Sequence, residues 1–81
     1  MSMERRIRMA LSELMTGQHG VVQSLDGGRM FRSRAANLGF TTGAEVTVVQ
    51  NYGRGPMIVA VRGTRVALGR GEASMVLVEG A

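Results

Sequence analysis

The sequence predicts a mainly β fold: a small, strongly bent barrel of about five strands with one short helix inserted. Three observations carry that expectation. The chain has 81 residues, the length of one domain with a modest core. From residue 17 onward, short runs rich in β-branched residues alternate with glycine turns. One segment, 29–38, has apolar residues at helical spacing with a helix-ending glycine behind it.

Residues 1–10 carry Glu4, Arg5, Arg6 and Arg8 with little apolar content and read as a basic N-terminal tail, leaving 11–81 as the domain. Ile7, Leu11 and Leu14 have helical spacing, but Gly17 and Gly20 follow too soon for a long helix. "GQHGVVQSL" (17–25) is a strand after a glycine turn, and "DGG" (26–28) is the next turn. In "RMFRSRAANL" (29–38), Phe31, Ala35 and Leu38 share the face expected to point inward, with Arg29, Arg32 and Ser33 outward. Gly39 stands at the position after the helix where φ turns positive and glycine is cheapest. Phe40, one residue on, can fold back over the last turn.

"AEVTVVQ" (44–50) is the second strand and "NYGRGP" (51–56) a loop. "MIVAVR" and "RVALG" flank Gly63 and Thr64; glycine first in a two-residue loop predicts a type II′ hairpin. The last strand runs from Met75 to Glu79. Val46, Val48, Ile58 and Ala60 are expected on one face of the strands and Val49, Val59 and Val61 on the other. Closure of the sheet explains apolar residues on both faces in part, and a partner surface explains the rest.

Composition narrows function. The chain has no cysteine, which removes disulfides and thiolate metal sites. No apolar run approaches the length of a membrane span, and the start lacks the apolar stretch of a signal peptide. The expectation is a soluble cytoplasmic protein. Net charge is +4, with arginine as every basic residue. Spread along the chain, that is a modest field, and solvated surface arginines explain it more simply than nucleic acid does. Stacking platforms are also missing: the aromatics are Tyr52, Phe31 and Phe40, and both phenylalanines are expected in the core.

His19 is the lone histidine and reads as a turn residue, at most a weak or intermolecular metal ligand. The six acids form no close pair in sequence, so there is no catalytic residue to name and the chain reads as no enzyme. "GRGP" and "GRGE" are turns; a phosphate loop needs a lysine, and the chain has none. Met30, Met57 and Met75 read as core gap-fillers.

Taken together, Leu11-Ser12-Glu13-Leu14, Gly17, Gly20, Arg34, Leu38-Gly39-Phe40, Gly43, Pro56, Gly63 and Glu72-Ala73 resemble, in order and spacing, the ferrous iron transport protein A (FeoA) family. The match covers 11–79. Two positions depart from the family pattern. Thr42 stands where proline is usual, which loosens the turn. Ala35 stands where a leucine often follows the arginine, which thins the helix face and opens a small groove there.

The resemblance implies an SH3-like barrel with a helix inserted after the first strand, a barrel also found as the last domain of iron-dependent repressors. It implies a small cytosolic accessory that binds and modulates the FeoB membrane Fe(II) transporter, whose cytosolic part includes a G-protein domain. No cofactor is implied, and Fe(II) or another transition metal binds at most weakly. Leu38, Gly39, Phe40, Gly43 and Gly63 would be structural. Arg29, Arg32, Tyr52 and Arg54 are the candidate partner contacts, since arginine and tyrosine anchor interfaces. The strand edge near Val46 to Val49 is the second candidate, by strand addition. Two competing readings are a nucleic-acid-binding SH3-like domain, recognisable by steep salt dependence, and a free-standing metal sensor, against which the lone His19 argues.

Overall fold

In the computed structural model, which describes residues 7–80, six strands form one antiparallel sheet. They are β1 (Ile7–Ala10), β2 (His19–Leu25), β3 (Glu45–Gln50), β4 (Met57–Val61), β5 (Thr64–Leu68) and β6 (Val76–Gly80). Helix α1 (Arg29–Leu38) joins β2 to β3, and the single turn α2 (Arg70–Ala73) joins β5 to β6. The sheet order is β1-β6-β2-β3-β4-β5. The register shifts between Val22 and Ser24 and again between Val48 and Gln50. Such bulges bend strands and let a small sheet wrap one core.

That core is aliphatic and continuous. Leu11, Val22, Phe40, Val46, Val48, Met57, Val59, Val61, Val76 and Val78 are all fully buried. No polar or charged side chain joins them among the described residues. Leu11 and Phe40 come from connecting segments; the strands supply the other eight by alternation, as in β4, where Met57, Val59 and Val61 point in.

The residues expected to be a tail reach further into the fold than the sequence suggested. Ile7–Ala10 is an edge strand, paired from Ile7↔Gly80 to Ala10↔Leu77. The pairing runs through backbone groups, so "IRMA" needs no alternating pattern to make it. Residues 1–6 of the expected tail lie outside the described residues. The face assignment also changes. Val46 lies opposite Val61 and Val48 opposite Val59, so these four share the inner face, while Ile58 and Ala60 take the outer one. Cross-strand partners share a face, and a one-residue shift of register exchanges the two faces. The edge near Val46–Val49 is not free: β3 pairs with β2 on one side and β4 on the other.

The β4–β5 hairpin turns one residue earlier than expected. Val61 pairs with Thr64, so the loop is Arg62-Gly63. Both have positive φ, +48° and +77°, the signature of a type I′ turn with glycine second. Among the described residues no helix is long and apolar enough to cross a membrane.

Candidate functional site

The joint after α1 is built from its backbone outward. Gly39 takes φ +110°. Its N–H donates to the Ala36 carbonyl at 3.0 Å, and the Phe40 N–H donates to the Ala35 carbonyl at 3.0 Å. This is the Schellman arrangement, which satisfies two carbonyls at the helix end. It sends Phe40 into the core, where the side chain is fully buried. At Gly43, φ +89°, the chain turns again, and its N–H reaches the Val22 carbonyl at 2.8 Å. Arg62, from the hairpin tip, locks this step. Its Nε donates to the Gly39 carbonyl at 3.3 Å and its Nη2 to Thr41 Oγ1 at 2.6 Å.

A second arginine holds the loop 51–56. Arg70 Nη1 donates to Asn51 Oδ1 at 3.0 Å and to the Gly55 carbonyl at 3.2 Å; Nη2 donates to the Ser12 carbonyl at 3.2 Å. Asn51 Nδ2 donates to the Leu14 carbonyl at 2.6 Å. Thr16 Oγ1 accepts the Asn51 N–H at 2.8 Å. The loop is therefore anchored at its base, and its tip projects Tyr52, 75% exposed, together with Arg54.

On the other side of α2, Arg34 of α1 donates to Glu72 as an ion pair. Glu72 also accepts the Gly69 N–H at 3.2 Å. So α2 is tied to α1 through Glu72 and to the loop through Arg70. Helix α1 and loop 51–56 flank it, and the four predicted contact residues fall in two clusters: Arg29 and Arg32 on α1, Tyr52 and Arg54 on the loop. All four are exposed.

Three sequence expectations change around α1. Of Phe31, Ala35 and Leu38, only Ala35 is fully inside; Phe31 is half-buried and Leu38 is 38% exposed. Helix α1 buries Ala35 alone, and the Gly39 turn carries the chain inward so that Phe40, rather than Leu38, is fully buried. Met30 is not a core filler but 87% exposed, whereas Met57 is fully buried and Met75 half-buried. A groove does run beside α1, floored by Phe31 and Met75, but Ala35 does not line it.

His19 opens β2, exposed, opposite Thr47. It shares a shallow groove with Met9, Met15 and Glu13. Among the described residues no three His, Asp or Glu side chains come together to hold a metal. Arg62, Arg70 and Asn51 were missed in the sequence. Asn51 alone left a signal, as a turn-forming residue at the strand end; the arginines look like any others until their partners are placed.

The sequence model of the FeoA domain matches residues 9–80. The solved structure of an iron uptake regulatory protein (FeoA) superposes with a TM-score of 0.88 at 35% identity, over 93% of this chain and 100% of that one. The crystal structure of Stenotrophomonas maltophilia FeoA complexed with zinc, described as a procaryotic SH3 domain protein, superposes at 0.77 with 37% identity, over 86% of this chain and 88% of that one. An Fe(2+) transport protein A/Fe(2+) transporter FeoB fusion protein of Porphyromonas gingivalis is 38% identical over 72 residues, which are 88% of this chain and 8% of the fusion.

Proposed function

The chain belongs to the FeoA domain family, whose members serve ferrous iron transport, and from that premise we propose that it is a cytosolic accessory that docks on the cytosolic G-protein part of a FeoB-like Fe(II) transporter and modulates it. The fusion relative carries this reading. There a segment 38% identical to this chain is part of one polypeptide with FeoB. Covalent linkage holds two modules at high effective concentration, which is useful when they work in contact.

The chain acts by contact and performs no reaction of its own. Among the described residues His19 and the acids are not gathered into a metal-holding cluster. Fe(II) is the transporter's cargo, and on this chain a transition metal finds at most a weak or intermolecular ligand in His19. The contact is with protein rather than nucleic acid: Tyr52 is the one strongly exposed aromatic, and single-strand recognition stacks bases on several.

The test is twofold. Purified full chain and the transporter's cytosolic region are combined in a calorimeter, and Fe(II) uptake is followed in cells. Tyr52→Ala with Arg54→Ala is expected to leave folding intact and weaken both readouts, with Arg32→Ala weaker in effect. Absence of any binding by the unaltered chain would remove the reading.

A further inference from the structure

We propose that the groove beside α1 is the specificity element of that docking: it takes an apolar side chain from an acidic segment of the partner, a carboxylate of which meets Arg29 at the groove's edge. This rests on the docking reading above.

The groove is open, about 700 Å³, enough for one or two large side chains. Its floor is preformed. A Cβ at Gly27 would lie 2.8 Å from Phe31 Cδ2 and 2.9 Å from Met75 Sδ, so glycine there lets both side chains close against the backbone. The rim on one side is Met30, 87% exposed. On the other it is the Arg34–Glu72 pair, which joins α1 to α2. An apolar floor with an adaptable methionine at its lip suits an inserted aliphatic or aromatic anchor.

Charge selects the partner. Helix α1 carries Arg29, Arg32 and Arg34 and no acid. Glu72 engages Arg34; Arg29, which lines the groove, and Arg32, which does not, have no ion pair or side-chain hydrogen bond among the described residues. Asp26, on the preceding turn, is the nearest other acid in sequence. Arg29 also sits in the first turn of α1, behind a glycine N-cap without a side-chain bond. There a cation opposes the helix dipole and an acid would stabilise the helix. An unpaired Arg29 guanidinium at the edge of an open apolar groove is complementary to a segment that combines an apolar anchor with a carboxylate, which arginine can hold bidentately.

The methionines supply the test. Full chain labelled with carbon-13 at the methionine methyls is titrated with the transporter's purified cytosolic region. The Met30 and Met75 signals are expected to move, while Met9 and Met15, in the groove by His19, and buried Met57 stay put. Met30→Glu, a change at an exposed position, is expected to weaken binding at least tenfold with an unchanged circular dichroism spectrum, and Arg29→Glu to do the same, while Arg32→Glu, off the groove, has a smaller effect. Binding that Met30→Glu leaves intact and that moves only Met9 and Met15 overturns the groove while the docking reading stands. No binding by the unaltered chain overturns both. Equal shifts of Met30 and Met75 with phosphatidylglycerol vesicles, or on concentrating the chain alone, overturn the acidic protein segment as occupant.

Discussion

The meander β3–β4–β5 and helix α1 are held by opposite means. Along the meander, Val46, Val48, Met57, Val59, Val61, Val66 and Leu68 are buried in alternation. Each fully buried aliphatic side chain contributes about 1.5–3 kcal/mol relative to exposure, so no single residue decides whether the meander forms. Helix α1 buries Ala35 alone. It is held at its C-terminal end by the Gly39–Phe40 cap and the Arg62 clamp, and at its side by Arg34–Glu72. Stability is spread through the sheet and concentrated at one end of the helix. That leaves the outer face of α1, with its arginines and Met30, free for contact at little cost to the fold.

The sharpest way to break the contrast is Phe40→Ala. Phe40 belongs to both regions: it ends the helix cap and fills the sheet's core, fully buried. Truncation of a buried phenylalanine costs about 3–5 kcal/mol. Urea unfolding is the measurement, and a loss below about 1 kcal/mol would show that the joint does not couple helix to sheet.

Gly39→Val comes next, at about 1–2 kcal/mol, because a β-branched residue resists the φ of +110°. Space is not the obstacle. The nearest atom to an added Cβ is Arg62 Cδ at 3.5 Å, an ordinary contact. Wild-type unfolding for this variant would mean that the backbone relaxes there without strain.

The same contrast separates what the sequence disclosed from what it hid. The helix limits, the glycine turn after Leu38 and the inward Phe40 were legible because capping is local: the residues that must cooperate are three or four apart. Strand positions were legible through β-branched runs for the same reason. Three features were not. β1 pairs its backbone with a strand some seventy residues later, between Ile7 and Gly80. The faces of β3 and β4 depend on register. The roles of Arg62 and Arg70 depend on carbonyls at Gly39, Ser12 and Gly55, which adjoin them only in the fold. The candidate site shared this limit. Arg29, Arg32, Tyr52 and Arg54 could be picked as exposed by residue type and position, but α2, which ties their two clusters together, gave no sign of that role in the sequence.

Arg62 sharpens the comparison at the clamp. Its guanidinium holds the joint, yet its backbone sits at φ +48°, a region costly for any residue with a Cβ. Arg62→Ala loses the two hydrogen bonds and keeps the strain, for an expected cost of about 1 kcal/mol. Arg62→Gly loses the bonds and relieves the strain, so it is expected to be the more stable of the two. Thermal unfolding of the pair separates clamp from turn; equal midpoints would mean that the turn carries no strain.

The smallest expected effects fall on the outer side of α1. Leu38 looks like a core residue in the sequence, as part of Leu38-Gly39-Phe40, but it is 38% exposed. Met30 is 87% exposed. For Met30→Ala the change in unfolding free energy should stay within about 0.5 kcal/mol, the usual range for surface substitutions. Leu38→Ala should cost somewhat more, about 1 kcal/mol, since part of its side chain is covered. Phe40→Ala, two residues along, should exceed both several-fold. The order of these three values is the decisive readout. If Leu38→Ala cost as much as Phe40→Ala, the helix would be packed through its apolar stripe like any amphipathic helix on a sheet. The expected order would instead show a helix hung from its C-terminal end, with the exposed Met30 and its neighbouring arginines left over from folding and available to a partner.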